Sequence, residues 1–179
     1  LYLIWVGGWP ILAVGVAAIL AALAYTGGPW PLAYVGLGDP FVLVFFGPVA
    51  VAGTTYVQTL RLDPASLVGG TALGLLATAI LVVNNLRDRE GDARANKRTL
   101  AVRFGARAAR VEYALCVFGA YALLPLVWAC GWGGPGWLLP ALSLPLALYQ
   151  VRCVATLDGR ALNPHLGATA RLQLVFALL

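Results

Sequence analysis

The sequence predicts an all-α fold, a multispanning bundle of transmembrane helices, and three observations lead there. Of the 179 residues, 61% are hydrophobic and only 11% charged. Stretches 1–38, 40–60, 65–86 and 113–151 carry no charge at all. Each of these runs is long enough for at least one span of about 20 residues, which excludes an ordinary water-soluble core.

The elements follow in order. Residues 1–6 read as the tail of an earlier span, Gly7-Gly8-Trp9-Pro10 as a break, and 10–25 as the first whole span. Asp39-Pro40, Asp63-Pro64 and Asn163-Pro164 each set a polar cap before a proline at the first helical position. They start spans over 40–60, 65–86 and 164–179, and this reading makes Asp39 and Asp63 caps, not catalysts. Gly70 and Gly74, four apart in an apolar segment, predict close helix packing. The segment 131–136, rich in glycine, divides the last long run into spans 111–131 and 136–157.

A single transmembrane domain over 1–179 is expected. The chain lacks methionine and begins and ends in apolar sequence, so it reads as a piece of a larger protein, truncated at the N-terminus and at the C-terminus as well.

Eight of the twelve Lys and Arg residues lie between Arg87 and Arg110. The positive-inside bias therefore puts loop 87–110 in the cytoplasm, in a multi-pass protein of the cell (inner) membrane. By parity 26–39 and 158–163 share that side, while 7–9, 61–63 and 132–135 face out. The basic pI of about 9.5 reflects this loop and suits anionic lipid better than nucleic acid. Cys116, Cys130 and Cys153 are widely spaced, with no histidine near them, and read as apolar packers. His165 and Arg171 fall in the last span, the first as an interfacial or capping residue and the second as a charge in need of a partner.

Chemistry is concentrated in residues 84–98, which hold three of the seven acidic residues. If the helix entering this stretch continues for two more turns, Asn85, Asp88 and Asp92 stand at i, i+3 and i+7 on one face. Two carboxylates and an amide suit a hard cation such as Mg²⁺, shared with a phosphate. Like carboxylates one turn apart repel unless something positive lies between them. Glu90 falls on the other side of such a helix. Lys97 and Arg98 are placed to hold anionic oxygens. The competing reading is a solvated, mixed-charge loop at the end of a membrane hairpin.

These residues resemble a known family. Asn84-Asn85-Leu86-Arg87-Asp88, then Asp92, followed by Lys97-Arg98-Thr99-Leu100-Ala101-Val102-Arg103-Phe104-Gly105, is similar to the second aspartate-rich motif of the UbiA superfamily of intramembrane prenyltransferases. Segment 25–38, Phe45-Phe46-Gly47, Thr55-Tyr56-Val57-Gln58 and Leu162-Asn163-Pro164 resemble its branch that prenylates 1,4-dihydroxy-2-naphthoate in menaquinone biosynthesis. The resemblance implies nine helices, of which about six are present here, and a first aspartate-rich motif that is absent and is expected before Leu1. It implies Mg²⁺ as cofactor, held by Asn85, Asp88 and Asp92, with the two aspartates catalytic. Substrate-binding residues would be Asn84, Asn85, Arg87, Lys97, Arg98 and Arg103, with Tyr25, Tyr56 and Gln58.

The implied partners are a polyprenyl diphosphate, an aromatic acceptor and the lipid bilayer. Acceptors such as 4-hydroxybenzoate or homogentisate are the alternative within the family. For Tyr25, Tyr34 and Tyr56, faces that stabilise a cation and plain interfacial packing remain alternatives. A CDP-alcohol phosphotransferase pattern requires Gly after the second aspartate, whereas Gly91 precedes Asp92. A secondary transporter would place its carboxylate near the midplane, and no span carries one there.

Overall fold

The computed structural model describes residues 1–28 and 31–179; Pro29 and Trp30, part of the quoted segment 25–38, lie outside the described residues. Among the described residues every regular element is helical. The α-helices are α1 (Tyr2–Thr26), α2 (Gly38–Val44), α3 (Ala50–Thr59), α4 (Pro64–Arg94), α5 (Leu100–Ala129), α6 (Leu144–Thr156) and α7 (Asn163–Leu178). Five continuous helical stretches are long and apolar enough to cross a membrane: Tyr2–Thr26, Gly38–Thr59, Pro64–Arg94, Leu100–Ala129 and Pro135–Thr156. At 16 residues α7 is shorter.

The predicted break at residues 7–9 is a kink, not a loop. Gly8 takes φ 66° and ψ −153°, a backbone state open to glycine, and helix resumes on both sides. A second interruption joins α2 to α3: a π-helical turn, Phe45–Val49, with Gly47 off helical geometry just before Pro48, which has no N–H to donate. The irregularity allows a close approach. A Cβ on Gly47 would lie 2.8 Å from the Gly70 carbonyl oxygen and from the Gly74 Cα, and one on Gly74 would come even closer to the Leu43 carbonyl. The seam foreseen from Gly70 and Gly74 is thus filled by the chain's own α2–α3 segment and not left for a second copy.

Central α4 packs mainly against α5. Leu76, Ala79, Val83 and Leu86 meet Ala109, Tyr113, Val117 and Ala120 in a core that α6 and α7 close with Ala147, Val154, Leu172 and Phe176. Polar groups inside it are paired, as an apolar surround demands. The Tyr113 and Thr169 hydroxyls are 3.0 Å apart, the Thr169 hydroxyl donates to the His165 carbonyl at 2.7 Å, and His165 Nδ1 lies 2.8 Å from Gln150 Oε1. His165 therefore bridges α6 and α7. By contrast α1 leaves Trp5, Trp9, Ile19 and Leu23 largely exposed, as helices do where their neighbour is lipid or another helix.

Two predicted caps are corrected. Asp63 does cap α4, accepting from the Ala65 and Ser66 amides at 3.3 and 3.2 Å. Asp39 and Asn163 are not side-chain caps: α2 begins at Gly38 with Leu37 before it, and α7 begins at Asn163 itself. Helix α5 begins at Leu100, well before the predicted 111, because Thr99 accepts from the Val102 amide and supplies a start that hydropathy does not register. Its first turns are interrupted at Gly105, with φ 81°.

Candidate functional site

The condition set by the sequence is met: α4 runs past its apolar part to Arg94. Asn96, at φ 57°, then reverses the chain in a left-handed conformation that asparagine tolerates. The turn is fixed at several points. The Lys97 amide donates to the Asp92 carbonyl at 2.9 Å, and the Arg98 amide to the Tyr34 carbonyl at 2.8 Å. The Arg103 side chain donates from Nε to the Arg98 carbonyl at 3.1 Å. Residues 31–37 are thereby docked on 97–103, with Gly36, at φ 79°, close against the Arg98 carbonyl.

Asp88 and Asp92 line one polar cavity of about 570 Å³ together with Arg87, Arg94, Arg160, Asn163 and Glu90. Glu90, predicted to face away, borders the same space. Each aspartate already has a cation. Arg87 grips both Asp88 oxygens, at 2.8 and 2.5 Å, while also donating to Asn84 Oδ1 at 2.8 Å. Lys97 Nζ lies 3.3 Å from Asp92 Oδ2. The Arg87 guanidinium holds the Asp88 carboxyl below the usual carboxylate range, and the pairing raises the Arg87 pKa in turn. The repulsion between neighbouring carboxylates is relieved within the chain, so their spacing alone does not require a metal.

Among the described residues no group of three or more Asp, Glu, His or Cys side chains is placed to hold a metal ion. Asn85, the expected third ligand, is buried at 5% exposure and does not line the cavity. Arg98 keeps its guanidinium out of any ion pair among the described residues, whereas Arg103 is engaged in holding the turn. Arg110, expected to serve orientation and lipid contact, instead donates to the Val154 and Leu157 carbonyls and pairs with Asp158 at 2.7 Å. It neutralises the C-terminal end of α6 and ties it to α5.

The aromatic and amide candidates divide into two places. Tyr25 and Gln58 both border an apolar cavity of about 910 Å³ between α1 and the α2–α3 segment, with Phe41, Phe45 and Val49. Tyr25 stands at the end of α1, its hydroxyl 3.2 Å from where a Cβ on Gly38 would be, next to Asp39. Tyr56 and Gln58 lie at the end of α3 next to the start of α4. At 1.5 Å per residue that end is roughly 35 Å along α4 from Asp88, so the fold does not bring Tyr56 and Gln58 to the aspartates.

Two carboxylates are not read as functional from the sequence, Asp39 because it has the pattern of a cap. Asp39 is 4% exposed, and among the described residues its Oδ1 has no hydrogen-bond partner. Glu112 lies about three turns into α5 and lines a cavity of about 560 Å³ with Arg107 and Cys116. A signal existed for each. Asp39 directly follows the quoted segment 25–38, and Glu112 lies at the start of the predicted span 111–131.

Comparison with known proteins identifies the family. The model of the UbiA prenyltransferase family matches residues 1–167. The chain is 44% identical over 171 residues to 1,4-dihydroxy-2-naphthoate octaprenyltransferase of Mycobacterium tuberculosis, covering 94% of the chain and 57% of that protein. It is 41% identical over 177 residues to the Escherichia coli protein of the same name, covering 94% and 55%. A third relative, 2-carboxy-1,4-naphthoquinone phytyltransferase of Synechocystis, is 30% identical over 146 residues, covering 82% and 48%. The chain thus spans about half the length of the curated relatives it matches. A match across nearly all of the chain, on a helical membrane bundle with paired aspartates at one helix end, means that it belongs to the UbiA prenyltransferase family.

Proposed function

We propose that the protein transfers a polyprenyl group from an allylic polyprenyl diphosphate to 1,4-dihydroxy-2-naphthoate, with Asp88 and Asp92 at the diphosphate end. The observation that carries this reading is the cavity in which both aspartates meet arginines at the end of an apolar bundle. The relatives' names support the acceptor.

UbiA-family prenyltransferases generally depend on a divalent metal. The residues here fit one, with Mg²⁺ as the choice: two carboxylates on one cavity leave coordination positions for phosphate oxygens and water. The chemistry supplied by Mg²⁺, when bound, would be to offset the charge building on the leaving diphosphate. Asp88 and Asp92 would hold it. Arg87 and Lys97, released from the aspartates, bind diphosphate oxygens together with Arg98.

In the reaction the allylic carbon–oxygen bond breaks and diphosphate leaves. A ring carbon of the acceptor attacks the allylic carbon, and the ring carboxylate departs as carbon dioxide, giving the prenylated 1,4-naphthalenediol, demethylmenaquinol. Apolar helices keep water from the allylic cation.

The test is incubation of the purified, full-length protein with Mg²⁺, a polyprenyl diphosphate and 1,4-dihydroxy-2-naphthoate, with the product read by mass spectrometry. Prenylated product is expected, and residues 1–179 alone are expected to insert in a membrane without forming it. Transfer only to 4-hydroxybenzoate or homogentisate would replace the acceptor, and no transfer to any of the three would reject the reading.

A further inference from the structure

The Asp39 carboxylate is the least explained polar group in the molecule. It is 4% exposed, and among the described residues its Oδ1 accepts no hydrogen bond. Buried acceptors are nearly always satisfied, so one left open is a place where a donor from outside the chain fits.

Its position says which donor. Asp39 stands three residues before Val42, on the same side of α2, and Val42 lines the 910 Å³ apolar cavity. Tyr25, which also lines that cavity, places its hydroxyl 3.2 Å from where a Cβ on Gly38 would be. The segment 31–37, which leads into Asp39, is held on residues 97–103 by the Arg98 amide, which donates to the Tyr34 carbonyl at 2.8 Å. Asp39 therefore stands between the apolar cavity and the aspartates. A diphosphate cannot satisfy it, because ionised phosphate oxygens only accept and would repel the carboxylate. A phenolic hydroxyl donates, and the ring that carries it suits an apolar wall.

We propose that Asp39 binds the aromatic acceptor, its free Oδ1 taking the hydrogen bond of a ring hydroxyl. This rests on the prenyl-transfer reading and adds to it the residue that selects for a hydroxylated ring. The hydrogen bond to a carboxylate also raises electron density on the ring that attacks.

The first test uses the full-length wild-type protein alone. 1,4-Dihydroxy-2-naphthoate should bind about tenfold more tightly than one of its two monomethyl ethers, the one that blocks the hydroxyl held by Asp39, measured by equilibrium binding without diphosphate. Equal binding of the acid and both ethers, in a protein with normal turnover, overturns the Asp39 assignment and leaves prenyl transfer standing. A protein that neither binds nor prenylates the acceptor overturns both. The second test is Asp39→Leu, with Asp39→Asn as the milder change, each checked for membrane yield and thermal midpoint. A folded variant should show an acceptor KM raised about tenfold, no remaining preference over that ether, and unchanged diphosphate KM and Mg²⁺ requirement. A rise in diphosphate KM, a shift in Mg²⁺ requirement, or a preference for acceptor over ether kept in the Leu variant would each assign Asp39 another role and overturn the proposal.

Discussion

The two ends of α4 are built on opposite plans. Toward its start the helix is held by what it lacks: Gly70 and Gly74 have no side chain, and the α2–α3 backbone fills the space. At its far end the helix is held by what it carries, Asp88 against Arg87 and Asp92 against Lys97, around an open polar cavity. Contacts of the first kind admit almost no substitution, because backbone cannot move aside cheaply. Contacts of the second kind are exchangeable ion pairs, part exposed to water and weak as sources of stability. Stability therefore depends on the glycine seam, and the charged end is free to change partners during binding.

That contrast is most exposed to test at the aspartates. In the full-length protein Asp88→Asn and Asp92→Asn should each lower turnover about a hundredfold or more while leaving membrane yield and thermal midpoint close to wild type. A large loss of stability in either would mean that the two ends do not differ as described. Next in size, Gly74→Ala should destabilise by about 1–3 kcal/mol, since its Cβ would meet the Leu43 carbonyl and the Gly47 Cα. Thermal unfolding in detergent reads this out, and an unchanged midpoint would show that the seam can open.

A smaller effect separates the basic residues. Lys97→Ala and Arg98→Ala should each weaken polyprenyl diphosphate binding about tenfold, with Arg107→Ala near wild type. Equal losses in all three would reduce the loop to a diffuse basic patch. Arg110 is unsuitable as a control, because its bonds to the Val154 and Leu157 carbonyls give it a structural role. Smallest of all, Tyr113→Phe removes the hydroxyl pair with Thr169 and should cost about 1 kcal/mol of stability without altering the KM for either substrate.

Much of this was legible in sequence where the cause is local. Asp63 with Pro64 starts α4 as its neighbours dictate, and uncharged runs mark the apolar helices. The aspartate spacing gave the shared cavity, since the helix does continue through Asp92. Reading failed where the cause is distant. The charged first turns of α5 hid a helix behind a hydropathy signal that measures apolarity and not helicity. Asp39 has the local pattern of a cap, yet it is buried on α2, which packs against α4 near Leu81, some 40 positions away. No window on the sequence contains both. The counter-ions Arg87 and Lys97 sit within the motif itself, but the pairing of Lys97 with Asp92 is settled by the turn at Asn96.

The central claim is that the charged end of α4 binds diphosphate through a metal while the seam holds the fold. It is tested most directly by titrating Mg²⁺ into the full-length protein and measuring polyprenyl diphosphate binding, in wild type and in the Asp88→Asn/Asp92→Asn double variant. Wild-type affinity should rise with Mg²⁺ and the double variant should show no such dependence, with equal thermal midpoints for the two apo proteins. The same Mg²⁺-dependent gain in a folded double variant would contradict the account.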